Sequence, residues 1–447
     1  MSIPQYMLLY EEMKAFIISG HYKAGEKLPS KRKLAESLKR SVLTVEAAYG
    51  QLMAEGYIFS VEKKGYFVEA QVEILPVGQS MPLHLEEDIE KPYPYMYRFQ
   101  TNVVDTSLFP NSTWKKLSRE VLSENHDEML NVIHPQGLYE LRVEIAKYLR
   151  VNRAISIDPR QIIIGSGSTA LISLLVEMIG RSHKYAIENP SYPKIYHLFK
   201  GNDVKLYPIS LDDSGIKMTE LIKTNASVVH ITPSHQFPMG ITMPIQRRNE
   251  LINWANLDED RYIIEDDYDS EFRYQGKPIP ALKSLDYNDK VIYMNSFTKT
   301  LAPSFRMGYI VLPYQLMKTY LSISSFHGCS VPNFEQYIMH KFMRGGYFER
   351  HINRMKHHYR QKLERLMSVT STYKDIELIG YDSGLHLIME VMVDKTGQEL
   401  VELAKKHMIE VHAVERYDHL KHEKIHTHPK IVIGYSGIPL EEIEKAT

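Results

Sequence analysis

At 447 residues the chain is longer than a single hydrophobic core usually grows, so at least two domains are expected, and a composition of 43% hydrophobic and 24% charged residues excludes a disordered or fibrous protein. A formal net charge of −1 leaves no global field to attract nucleic acid, so any such affinity must come from a local basic patch. Cys329 is the only cysteine, which excludes an intrachain disulfide, and the start Met1-Ser-Ile-Pro lacks a basic stretch followed by an apolar one. With no long apolar run elsewhere, a cytoplasmic protein is expected.

In chain order, Leu8, Leu9, Met13, Phe16 and Ile17 stand at helical spacing and Gly20 stops the pattern. Ser30 caps a second short helix carrying Leu34, Ala35 and Leu38, and Ser41 caps a third whose buried stripe is Val45, Ala48 and Leu52. Two short helices joined by a tight turn predict a helix-turn-helix, and the alternation from Gly56 to Val68, with Lys63-Lys64-Gly65 at its tip, predicts a hairpin wing. Lys23, Lys27, Lys31, Arg32, Lys33, Lys39 and Arg40, set against only Glu26 and Glu36, form an electrostatic footprint for phosphates.

Residues 8–68 resemble the winged helix-turn-helix of the GntR regulators: Leu28-Pro-Ser-Lys-Arg-Lys-Leu-Ala35, then Thr44-Val-Glu-Ala-Ala-Tyr49, then Glu55-Gly-Tyr57 and a wing with Gly65. The resemblance implies that Lys31, Arg32, Arg40, Ser41, Thr44 and the wing residues Lys63, Lys64 and Gly65 meet double-stranded DNA. It departs at Val42, where many members carry an arginine directly after the capping serine. The domain is assigned to residues 1–70. Residues 71–96, with four prolines and the acidic run Glu86–Glu90, read as a linker, which as a flexible chain would span roughly 25–30 Å r.m.s..

The rest, 97–447, alternates strands and helices. Gln161–Ile164 is an apolar strand running straight into Gly165-Ser166-Gly167-Ser168 and a helix, and free amides at such a helix start point at an anion. Further apolar strands end in Glu188-Asn189-Pro190-Ser-Tyr192, in Thr232-Pro-Ser-His235-Gln236-Phe-Pro238-Met-Gly240 and in Glu265-Asp266-Asp267-Tyr268-Asp269. The strand Lys290–Asn295 ends in Ser296-Phe-Thr-Lys299 with Arg306 beyond. Polar chemistry at successive strand ends is the pattern of a doubly wound α/β domain with its site there. A lysine amine beside fixed hydroxyls and a guanidinium suits Schiff-base chemistry with pyridoxal 5'-phosphate, and Asp266, Tyr268 and Tyr192 supply a carboxylate, a phenol and a covering ring. Asp266, Asp267 and Asp269 equally suit Mg²⁺ if read alone, but the cationic stretch 296–306 calls for an anionic cofactor.

Residues 97–447 resemble the fold-type-I aminotransferases, and their fusion to a GntR-like head resembles the MocR/GabR regulators. This implies Lys299 as the Schiff-base residue, Asp266 on the ring nitrogen, Tyr268 on the ring hydroxyl and Tyr192 stacked on the ring. It further places His235 beside the cofactor and Ser296, Arg306 and Ser166-Gly167-Ser168 on its phosphate. Arg416, followed by Tyr417, would take the carboxylate of an effector. Two positions depart: Phe237 stands where aminotransferases have asparagine, and Lys194 where a GABA-responsive relative has arginine. The large part is placed at about 130–310 and a small α+β part at about 335–447. His419, His422, His426 and His428 are read as loop residues and no metal is expected. The expected function is a homodimeric, pyridoxal-phosphate-dependent transcription regulator that senses the cofactor or an amino compound; the alternative is a working aminotransferase with a DNA-binding extension.

Overall fold

A computed structural model describes residues 4–70, 95–124, 127–276, 278–324, 328–421 and 427–447. The chain forms two compact units, Met1–Tyr93 and Pro94–Thr447. The expected linker 71–96 lies, apart from Tyr95 and Met96, outside the described residues. Among the described residues no helix is long and apolar enough to cross a membrane.

In the first unit α1 is Gln5–Ile18, α2 Lys31–Ser37 and α3 Val42–Ala54, followed by the hairpin strands β1 Ile58–Val61 and β2 Gly65–Val68. Both expected caps form: Ser30 Oγ accepts from Lys33 N at 3.3 Å and Ser41 Oγ from Thr44 N at 3.1 Å, each satisfying an orphan amide of a helix start. The expected stripe Val45, Ala48 and Leu52, with Tyr49, packs against Leu9, Tyr10, Met13 and Ile17 of α1. Leu8 and Phe16, expected on the buried face of α1, are exposed, because Tyr10 takes the inner position and donates to Glu55 Oε2 at 2.5 Å. The hairpin pairs Ile58 with Val68 and Val61 with Gly65, turning through Lys63 and Gly65 at positive φ.

The second unit is built on an eight-stranded mixed sheet. Its strands are β3 Ile162–Gly165, β4 Lys184–Asn189, β5 Lys205–Asp212, β6 Gly215–Ile216, β7 Val228–Ile231, β8 Tyr262–Asp266, β9 Val291–Ser296 and β10 Gly308–Val311. They lie in the order β3-β10-β9-β8-β7-β4-β5-β6. The central strands are apolar along their length because helices cover both faces, burying Ile163, Ile264 and Ile292 on one side and Val229, Ile263 and Val291 on the other. Strand β10 runs antiparallel to both β9 and β3, a reversal the sequence reading did not anticipate. Trp114 lies within the helix Asn111–Ser123, where its ring meets Phe305 and Phe342 at 5.0 and 5.6 Å.

The C-terminal part has a four-stranded antiparallel sheet in the order Ile376–Ile379, His386–Val391, Lys430–Gly434, His412–Ala413. It meets the large sheet's loops where two glycines touch backbone to backbone. A Cβ on Gly240, at φ +71°, would lie 2.6 Å from Gly380 Cα. Gly240→Ala should therefore cost about 2–4 kcal/mol through backbone strain and overpacking. Calorimetry should show a lower Tm for the second unit, with hydrogen exchange of residues 5–68 unchanged; an unaltered Tm would contradict the contact.

Candidate functional site

Strand register assembles the site. Ser296 pairs with Gly308, and Gly308 with Gly165, so three strand ends stand in one row. This row brings Arg306, two residues before Gly308, beside the turn that opens the helix Ser168–Ile179. Arg306 Nη2 donates to Ser166 O at 3.3 Å, and a Cβ on Gly167 would lie 3.0 Å from the same nitrogen. Gly167, at φ +89°, keeps that approach open. The row borders a cavity of about 230 Å³ lined by Ser168, Tyr192, Asp266, Tyr268, Ser296, Thr298, Lys299 and Arg306 among others. Ser166 and Gly167 form its edge without lining it.

Lys299 lies three residues past the end of β9. Its amine donates to Thr101 O, and Thr101 and Asn102, which follow the expected linker, also line the cavity. Burial pushes the Lys299 amine down to about 8 against the opposing charge of Asp269. A substantial neutral fraction near physiological pH makes it a competent nucleophile.

At the opposite end the cavity meets a buried polar group that sequence reasoning missed. Glu188 is the next-to-last residue of β4, and its Oε2 accepts from Thr232 N at 2.9 Å and Thr232 Oγ1 at 2.7 Å, while Oε1 makes no hydrogen bond. Burial pushes its carboxyl up, against the Thr232 donors and His230. His230 Nε2 lies 3.4 Å from Asp266 Oδ2, within ion-pair range but not aligned as a hydrogen bond. A lone histidine in the otherwise apolar strand Val228–Ile231 was the available signal; its neighbours depend on cross-strand register.

The three aspartates weighed as a metal site diverge. Asp266 faces the cavity, Asp267 Oδ2 takes Arg153 Nε at 2.7 Å and the Tyr293 hydroxyl at 2.6 Å, and Asp269 Oδ2 meets His235 Nδ1 at 2.9 Å. His235, expected beside the cofactor, is buried behind Tyr268 and does not line the cavity. The Tyr268 hydroxyl donates to His235 O at 2.8 Å and stands 3.2 Å from His235 Nδ1, and burial raises its pKa well above the ordinary phenol value. His235 Nε2 in turn reaches Gly380 O at 3.3 Å, so the phenol is braced from the small domain. Gly384 fits against this cluster because a Cβ there would lie 2.2 Å from the His235 ring.

Tyr192 and Phe237 line one wall with their rings 5.4 Å apart at 80°. Lys194 lines the cavity, whereas Arg416 does not: it is exposed, with Nη1 2.9 Å from His412 Nδ1. Of the C-terminal histidines, His419 stacks on Tyr196 at 4.2 Å, and His422 and His426 lie outside the described residues.

In the first unit, Lys31 Nζ pairs with Glu46 Oε1 at 2.5 Å and Arg40 Nη1 donates to Gln5 O at 3.4 Å. Arg32, Lys63 and Lys64 are exposed, and Ser41 and Thr44 share a 2.8 Å hydroxyl contact at the start of α3. A Cβ on Gly65 would meet Lys27 Cε at 3.3 Å.

Two family models match the chain: bacterial regulatory proteins of the gntR family over residues 5–68, and aminotransferase class I and II over residues 98–423. Among curated relatives, the uncharacterized HTH-type transcriptional regulator YdeL of Bacillus subtilis is 35% identical, covering 100% of this chain and 96% of its own. The probable rhizopine catabolism regulatory protein MocR of Rhizobium meliloti is 28% identical over 98% of this chain and 91% of its own. The pyridoxine biosynthesis regulator PdxR of Corynebacterium glutamicum is 27% identical over 92% and 88%. An archaeal alanine:glyoxylate aminotransferase shares the fold of the second unit, with a TM-score of 0.70 at 24% identity over 78% of this chain and 88% of that one. With a gntR-type head and an aminotransferase class I and II module in one polypeptide, and full-length likeness to regulators built the same way, the chain belongs to the MocR/GabR family of GntR-type transcription regulators.

Proposed function

We propose that the module 97–447 holds pyridoxal 5'-phosphate in its cavity, and that occupancy, by the cofactor alone or with an amino compound, sets how the head 1–70 binds its operator through the linker 71–96. The observation that carries this is one cavity shared by a nucleophilic lysine, a carboxylate, an aromatic wall and an anion cradle. The fit is good at both ends. Ser296, Arg306 and the Ser166-Gly167-Ser168 turn offer hydroxyls, a guanidinium and helix-start amides to a phosphate, with Gly167 too close to the guanidinium for a larger side chain. Asp266 is the partner for a ring nitrogen, with His230 beside it.

When bound, the cofactor supplies an aldehyde that condenses with amines and a ring that withdraws electrons. Lys299 offers the amine, Tyr192 covers a ring face, and Tyr268, held by His235, fixes the position of a phenol. Arg416, exposed and next to the buried Tyr417, is suited to gripping an effector carboxylate bidentately once it leaves His412. Sensing is favoured over turnover because Phe237 puts an apolar ring on the wall where aminotransferases have asparagine, and the Tyr268 proton is committed to His235 O. One relative is named for regulating pyridoxine biosynthesis, which supports a link between this fold and cofactor supply, and another is named for rhizopine catabolism.

In this reading the protein works in the cytoplasm as a homodimer, each copy bringing one head to a half-site. Lys31, Arg32, Arg40, Ser41, Thr44 and the wing residues Lys63, Lys64 and Gly65 meet DNA. Binding at the cavity changes DNA affinity only if it favours one arrangement of the two domains.

Pyridoxal phosphate added to the protein should give a visible absorption band, and borohydride reduction followed by peptide mapping should find the label on Lys299. Lys299→Ala should lose both; a label on another lysine would overturn the assignment. The rate of cofactor capture should rise about tenfold per pH unit below about 8 and level off above it, since only the neutral amine attacks. A rate still climbing toward the ordinary lysine value of 10.5 would show that Lys299 is not desolvated.

A further inference from the structure

The face that α3 presents to solvent has an unusual chemistry for a recognition helix. Its inner stripe, Val45, Ala48, Tyr49 and Leu52, is spent on the core, which leaves Val42, Leu43, Glu46, Ala47 and Gln51 outward. Leu43 is 76% exposed and Val42 44%. The polar groups on this face already have partners: Glu46 takes Lys31, the Gln51 amide donates to Glu55 Oε1 at 2.7 Å, and the Ser41 and Thr44 hydroxyls meet each other. The helix, VLTVEAAYGQLMA, contains no arginine, lysine or asparagine. Exposed cations flank it on α2, on the turn and on the wing, namely Arg32, Lys33, Lys39, Lys63 and Lys64.

Resting on the DNA-binding reading above, we propose that α3 reads its operator through the 5-methyl groups of thymine, with Leu43 and Val42 as the reading side chains and Ala47 beside them. The commonest base contact, a bidentate arginine or lysine on guanine O6 and N7, needs a donor that α3 lacks. The major-groove feature an aliphatic side chain recognises is the thymine methyl. The N-terminal residues of a recognition helix are those that reach base edges, and here they are the two exposed aliphatics. The flanking cations name the occupant: an apolar face ringed by lysines suits a groove walled by phosphates, where the cations position the helix and the aliphatics discriminate. Arg32 lies on α2, so a guanine contact from it would add to this readout without replacing it.

The test uses the full-length protein and a duplex selected by it from a randomised pool. Each thymine is then replaced in turn by deoxyuridine, which removes only the methyl group. Affinity should fall about fourfold at one or two positions in each half-site, the worth of one buried methyl group. Leu43→Ala, which leaves the core untouched, should weaken binding to the thymine duplex and lose the thymine-over-uracil preference at one position, and Val42→Ala should do so at a neighbouring one. The dependence of affinity on salt should stay unchanged in both variants, because no phosphate contact is removed. Uracil duplexes bound as tightly as thymine duplexes, or a Leu43→Ala protein that keeps every preference, would overturn this readout alone. Failure to bind any duplex would overturn the DNA-binding reading with it.

Discussion

The site depends on a row of backbone pairings, Ser296 to Gly308 to Gly165, made possible by one strand running against its neighbours. Because β10 is antiparallel between β9 and β3, the chain leaves the sheet at Ser296, passes through Lys299 and returns at Gly308. This places the lysine and Arg306 over the same strand ends as the glycine turn. The row tolerates little bulk: a Cβ on Gly308 would lie 2.9 Å from Asn295 O, and one on Gly165 2.6 Å from Leu171 Cδ2. The small residues are there for close approach, and strand pairing brings the amine and guanidinium to the positions from which they reach Thr101 O and Ser166 O.

This explains which parts of the site could be read in advance. Lys299, Asp266, Tyr192 and Ser168 each follow an apolar run within a few residues, so local pattern alone marks them as strand-end chemistry, and Arg306 stands two residues before the next strand. Glu188 and His230 were as visible in sequence, but their meaning lies across strands: Ile187 pairs with His230, and Ile231 with Glu265, which brings His230 beside Asp266 and sets Glu188 in the same cavity lining. No local pattern carries that register. His235 is set by contacts of the same kind, since its partners Asp269 and Gly380 lie 34 and 145 residues away.

The fold was legible where periodicity was strong. All three helices of the head and both capping serines stand where the sequence puts them, because each cap is a local signal, whereas Leu8 and Phe16 of α1 and Leu38, one residue past α2, are exposed. The reversed strand β10 was not, since Gly308–Val311 is only four residues and nothing in its composition tells its direction.

In thermodynamic terms a regulator of this build needs a cavity whose contents change the relative free energies of at least two states of the whole chain, and coupling between two sites of this kind usually amounts to about 5–150-fold in affinity. The direct test is DNA affinity, measured by fluorescence anisotropy on one selected duplex at fixed salt, for the native protein and Lys299→Ala, each with and without pyridoxal phosphate. The account predicts a shift of at least about fivefold for the native protein and none for the variant. A native protein that takes up the cofactor and binds DNA with unchanged affinity would contradict it.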